Sequence, residues 1–167
     1  VKGLSVVKPF VGVNADIPSD ATVMRVQYDN DRGAVLAEGI NPWFSDIDTY
    51  DMTASVIDEA VRRVIAVGGS LDRIAILDNF CWPSCKDPRN MGALVRACEG
   101  CYDAAKAYRA PFISGKDSLN NQFVTEDGRT IQIPPTLLIS GFAPVEKDTL
   151  AVSMDAKRAG SRLVAVG

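Results

Sequence analysis

The chain has 167 residues, 47% of them apolar, and a formal net charge of −3. That length and composition allow one domain with a sizeable core, together with part of a second. The absence of any basic run argues against nucleic acid as a partner. No apolar stretch approaches the roughly 20 residues that span a bilayer, and no charged segment leads into an apolar one as in a secretory leader. The sequence therefore reads as cytoplasmic, with no membrane partner. It contains no histidine. Any acid–base chemistry must fall to Asp, Glu, Lys, Cys or Tyr.

In chain order, residues 1–18 hold Pro9, Gly12 and Pro18 and read as an extended lead-in. Ala21–Tyr28 carries the β-branched residues and partial alternation of a strand. Asp29-Asn-Asp-Arg-Gly33 is turn chemistry, and Ala34–Glu38 completes a hairpin. Gly39–Asp48 is a loop carrying Trp43 and Phe44. Trp43 lies over a groove or packs on the core, and the usual burial of aromatics favours the core.

A first helix is predicted from about Asp48 to Val67. Asp48 serves as N-cap, Asp51 lies in the first turn, and Met52, Val56, Ala60 and Val64 form an apolar stripe. Gly68-Gly69 stops it. Glu59 and Arg63 lie one turn apart, as a surface ion pair or with Glu59 as a ligand for a hard divalent cation. Arg73–Leu77 reads as a buried strand with Asp78 and Asn79 at its exit. Polar residues in that place suit a ligand site or a cap. A second helix begins at Asp87-Pro88, with a stripe of Met91, Leu94, Val95, Cys98, Cys101, Tyr102, Ala105 and Tyr108, and ends before Pro111.

The central stretch is Pro111-Phe-Ile-Ser-Gly-Lys-Asp-Ser-Leu-Asn-Asn121. It reads as a short strand breaking at Ser114–Ser118 into a polar turn. Gly115 permits unusual backbone angles and close approach, Lys116 offers a point charge and Ser118 a hydroxyl. This is either a plain polar turn or an anion cradle; the spacing of a Walker loop is absent. Beyond it lie a hairpin turn at Glu126–Arg129, a long strand from Thr136 to Val145, and a boundary at Glu146–Asp148. The strand-like run Leu163–Gly167 points to a piece of a longer chain. The pattern predicts an α+β fold, a mainly antiparallel sheet with two main helices on one face.

The four cysteines, spaced C-x3-C and C-x2-C at 81, 85, 98 and 101, suit a zinc-stabilised module. Against this, Cys98 and Cys101 fall on an apolar helix stripe, where free cysteine behaves as a small hydrophobe. A cytoplasmic setting disfavours disulfides.

Five motifs occur in consistent order: Asp46-Ile-Asp-Thr-Tyr50 leading into Ile57-Asp-Glu-Ala-Val-Arg62, then Leu77-Asp-Asn-Phe-Cys-Trp-Pro83, Ile113-Ser-Gly-Lys-Asp-Ser118 and Ile133-Pro-Pro-Thr-Leu137. Together they resemble phosphoribosylformylglycinamidine synthase (FGAM synthetase), in the second of its two nucleotide-binding-type domains. The resemblance implies the fold of the aminoimidazole ribonucleotide synthetase N-terminal domain over residues 19–148, with 149–167 opening a following domain. It implies ATP- and glutamine-dependent conversion of FGAR to FGAM in purine biosynthesis, with magnesium as cofactor. ATP would activate the formamide oxygen, and ammonia from a glutaminase domain or subunit would displace it.

On the same basis Asp78, Gly115 and Lys116 face ATP, Ser118 contacts FGAR, and Asp20 and Glu59 bind magnesium around a second nucleotide. The family's Asn one turn beyond Glu59 is Arg63 here, so that second site is either lost or served by Arg63 taking a phosphate. The resemblance also implies that the isolated chain is inactive and pairs with itself through its sheet. Rival readings are a selenophosphate synthetase or thiamine-phosphate kinase relative, which would lack the Asp78–Pro83 stretch, and the zinc module.

Overall fold

The computed structural model describes residues 3–166. Ten strands and two long helices follow in the order β1 Ser5–Val7, β2 Phe10–Val11, β3 Ile17–Pro18, β4 Thr22–Arg25, β5 Gly33–Ile40, α1 Thr49–Ala66, β6 Ala75–Cys81, α2 Pro88–Tyr108, β7 Phe112–Ser118, β8 Gln122–Val124, β9 Thr130–Gln132 and β10 Thr136–Val145. The main sheet runs β1-β4-β5-β10-β6-β7. All its pairings are antiparallel except β6–β7, which the α2 crossover makes parallel. The α+β architecture expected from the sequence is the one observed.

The long strands alternate strictly between two faces. β10 buries Leu137, Ile139, Ala143 and Val145 against the helices, and β5 buries Val35 and Ala37. α1 lies across β5 and β10 with Met52, Val56, Ala60 and Val64 fully buried. Asp48 caps it by accepting from Tyr50 N at 2.7 Å. Gly68, at φ +101°, turns the chain off its end. Contact with the sheet is closest at Gly39, where any Cβ would overlap the Val56 carbonyl oxygen.

Four local expectations are corrected. The lead-in is not merely extended: Ser5–Val7 pairs with β4 at the sheet edge, and Phe10–Val11 forms a small hairpin with Ile17–Pro18; Val1 and Lys2 lie outside the described residues. Trp43 does not pack on the core. It is 76% exposed, because Pro42–Asp46 forms a 3-10 turn that buries no residue. The buried face of α2 is Ala97, Gly100, Cys101 and Ala104, while Met91, Val95, Cys98 and Tyr102 face outward. α2 lies so close to α1 that a Cβ at Gly100 would come within 2.8 Å of the Tyr50 carbonyl oxygen, which selects small residues. Finally, Leu163–Val166 carries no regular structure; Gly167 lies outside the described residues.

The exit from β10 is fastened to the β4–β5 hairpin. Buried Asp148 takes a two-pronged bond from Arg25, Nε to Oδ2 at 2.5 Å and an outer guanidinium nitrogen to Oδ1 at 3.1 Å. Its own N–H donates to the Asp31 carbonyl at 2.7 Å.

Candidate functional site

The stretch Ser114–Ser118 is a strand, not a turn. It runs parallel to β6 with Leu77 opposite Ser114, Asp78 opposite Gly115, Asn79 opposite Lys116 and Cys81 opposite Ser118. β6 likewise continues through Asp78 to Cys81, so Asp78 lies inside the strand and not at its exit. The extension is stitched at its end. Trp82 N donates to Ser118 O at 2.7 Å, and Asn121 N donates to Trp82 O at 2.8 Å. Trp82 is fully buried, its ring edge-on to Phe80 at 5.7 Å and its indole N–H bonded to Asn90 O at 2.9 Å. A buried aromatic whose polar edge is satisfied makes a rigid floor.

Alternation then divides the site residues between faces. Ile76, Asp78 and Phe80 share the helix side with Gly115 and Asp117. Leu77, Asn79 and Cys81 share the open side with Ser114, Lys116 and Ser118. Gly115 has no positive φ among the described residues. It is glycine for another reason: a Cβ there would collide with the Asp78 carboxylate. That carboxylate accepts from Lys116 N at 3.2 Å. Partial burial, aided by the nearby Asp117 charge, holds the Asp78 pKa above the usual carboxylate value. Asp78 thus braces the β6–β7 pair from beneath.

On the open side, Lys116 Nζ donates to Ser118 Oγ at 2.5 Å, and among the described residues no carboxylate forms an ion pair with it. An unneutralised ammonium beside a hydroxyl, on an exposed strand, is suited to an anionic ligand. The structure therefore brings Lys116 and Ser118 together and sets Asp78 and Gly115 behind them.

Glu59 has separate partners. Its Oε2 accepts from Ile40 N at 2.9 Å and its Oε1 pairs with Arg63 at 2.8 Å. Both oxygens are committed, and the guanidinium puts positive charge where a cation would have to bind. This arrangement does not fit a divalent ion at Glu59. Asp20 lies partly buried just before β4. The cysteines form no metal cage either: among the described residues no group of three or more His, Cys, Asp or Glu could hold a metal ion. Burial, with neighbouring charge, pushes the Cys101 thiol up to about 12, the behaviour of an inert core thiol.

The sequence reading grouped Asp78 with Asn79 as one polar pair and weighed Cys81 only as a zinc ligand, without separating the two faces. Period two would have found them, since Ile76 and Phe80 mark the buried side of the strand.

A six-stranded, mainly antiparallel sheet with one helix-covered face and one open face bearing Lys116 and Ser118 has a counterpart among known families. Residues 18–141 match the AIR synthase related protein N-terminal domain family, to which this chain belongs. Across its whole length the chain is 31% identical, over 168 residues, to the phosphoribosylformylglycinamidine synthase subunit PurL of Thermoplasma volcanium, of which it spans 21%. Among solved structures it is similar to PurL of Thermotoga maritima. The PurLQS structure superposes with a TM-score of 0.71 at 27% identity, over 90% of this chain and 22% of the other. PurL complexed with FGAR gives 0.66 at 27% identity, over 89% and 21%. PurL complexed with ATP gives 0.65 at 27% identity, over 78% and 20%. The chain thus spans about a fifth of the length of these relatives. Among the described residues, no helix is long and apolar enough to cross a membrane.

Proposed function

We propose that this chain is one domain of a phosphoribosylformylglycinamidine synthase, forming part of the wall that binds ATP and FGAR. The observation that carries the reading is the uncompensated Lys116 ammonium beside Ser118 on the open face, in a chain similar over its whole length to PurL. PurL of Thermotoga maritima is solved with ATP and with FGAR, both phosphorylated ligands. Lys116 and Ser118 hold phosphate. Gly115 and Asp78 fix the strand that presents them. Magnesium enters with the nucleotide as part of the substrate, not through Glu59, whose two oxygens are committed to Ile40 and Arg63.

The full-length enzyme is then an ATP-dependent C–N ligase acting in the cytoplasm. Phosphoryl transfer to the formamide oxygen is followed by displacement with ammonia, supplied by a glutaminase domain or partner subunit. Catalysis here rests on positioning and charge neutralisation. The domain at residues 19–148 and the start of another at 149–167 complete this reading. The isolated chain lacks synthetase activity and pairs with itself through its uncovered sheet, where Met24, Leu36 and Phe142 lie exposed; light scattering on concentrated protein showing only monomer would count against that pairing.

The deciding experiment expresses the intact reading frame and measures ADP release with magnesium present. Release that requires both FGAR and ammonia is the expected result. A folded full-length protein that releases no ADP under those conditions overturns the reading.

A further inference from the structure

The open side of the β6–β7 pair holds two side chains with no role so far. Register places Asn79 beside Lys116 and Cys81 beside Ser118, all four on one face. Adjacent strands lie about 4.8 Å apart and same-face neighbours about 7 Å along the strand, so the four make a compact patch. Asn79 and Cys81 are half-buried. The Asn79 Oδ1 meets only the Cys81 thiol, at 3.6 Å, and among the described residues its Nδ2 donates to no protein acceptor. A carboxamide whose donors are free of protein partners and reachable from solvent can donate to a bound ligand. Thr136, opposite Cys81 on β10, extends the row with another hydroxyl. The nearby carboxylates Asp78 and Asp117 project from the other face. Ammonium, hydroxyls, thiol and carboxamide therefore meet with no negative charge among them.

We infer that Asn79 and Cys81 belong to the ligand wall: the Asn79 carboxamide donates to the polar group next to the phosphate that Lys116 and Ser118 hold, and the ligand covers the Cys81 thiol. This rests on the proposed ATP and FGAR site. It adds specificity to it, since a site built to hydrogen-bond a ligand group rejects analogues that lack that group.

The test uses the full-length protein and alkylation by iodoacetamide, read residue by residue by mass spectrometry. Binding of magnesium-ATP and of FGAR is first measured by calorimetry. Cys98, exposed on α2 on the opposite, helix-covered side of the sheet, is the internal control. Saturating ligand is expected to slow Cys81 alkylation about tenfold or more while Cys98 reacts at an unchanged rate. Asn79→Ala is expected to weaken binding of the same ligand about tenfold, the loss of roughly one hydrogen bond.

If ligand binds by calorimetry and Cys81 reacts at its former rate, the inference is wrong while the site reading stands. A Cys81 already shielded without ligand means another part of the polypeptide covers the patch, and also overturns it. Absence of binding by either ligand overturns the site reading itself, and this inference with it.

Discussion

The helix-covered face and the open face of this sheet are drawn from the same strands. Val35, Ala37, Ile139 and Ala143 on the covered side are fully buried, whereas Met24, Leu36 and Phe142 on the other side remain 37%, 44% and 43% exposed. The covered face is continuous hydrocarbon out to β6, where Asp78 replaces it and pairs with the backbone of Lys116. The open face carries Met24, Leu36 and Phe142 at its β4–β5–β10 end, with Glu38 and Ser140 between, and becomes predominantly polar toward β6 and β7. Close packing on one side fixes the strands to within the tolerance of a core. That rigidity lets the other side hold Lys116 and Ser118 in a set relation. A substitution should therefore act on stability or on binding according to which way its side chain points, even for neighbours in sequence.

The largest expected effect comes from the covered face. Ile139→Ala leaves a cavity beneath α1 and should cost about 2–5 kcal/mol in denaturant unfolding, whereas Phe142→Ala, three residues on and facing out, should cost less than about 0.5 kcal/mol. Equal losses would dissolve the distinction between faces. Next comes Gly39→Ala, whose new Cβ must push the Val56 carbonyl away. About 1–3 kcal/mol of destabilisation is expected, with cross-strand residues on the open side undisturbed in NMR shifts.

A third prediction concerns acid. Hydrogen bonding to Arg25 holds Asp148 below the usual carboxylate range. A folded pKa below the unfolded value means that this contribution is complete above about pH 4 and is lost as pH falls through the folded value. Asp148→Asn should flatten the acid limb of a plot of unfolding temperature against pH; an unchanged limb refutes the assignment. The smallest effect is at the α1 surface. Breaking the Glu59–Arg63 pair with Arg63→Gln should cost only a few tenths of a kcal/mol. Added magnesium should leave the unfolding temperature of the unaltered chain where it was, and a magnesium-dependent rise that Glu59→Gln abolishes would restore the metal reading.

Much of this was legible in the sequence, for reasons that also explain the misses. The four-residue spacing of Met52, Val56, Ala60 and Val64 marked α1, and the alternation of Thr136–Val145 marked β10. α2 misled because large apolar residues were taken as its core. Its contact with α1 is too close for them, and Gly100, Ala97 and Ala104 carry it. Ser114–Ser118 looked like a turn because glycine and polar residues weaken a strand on propensity alone. Pairing with β6 and the Trp82 bonds override that preference, and Gly115 proves to be small for the sake of Asp78. Lys116 and Ser118 were named from sequence for their charge and hydroxyl and from the family resemblance; that residues two apart on a strand share a face is what places them together. The missing step was carrying the same rule across to β6, where it separates Asp78 from Asn79.

The most direct measurement is binding of magnesium-ATP and of FGAR to the full-length protein and to its Lys116→Ala variant, with unfolding temperature recorded on both. The predicted result is a loss of affinity for at least one of the two of about ten- to a hundredfold, as for a charge-assisted bond to phosphate, with the unfolding temperature unchanged. Full affinity for both ligands in a folded Lys116→Ala protein would contradict the account, because the open face at β7 would then not be where the phosphate is held.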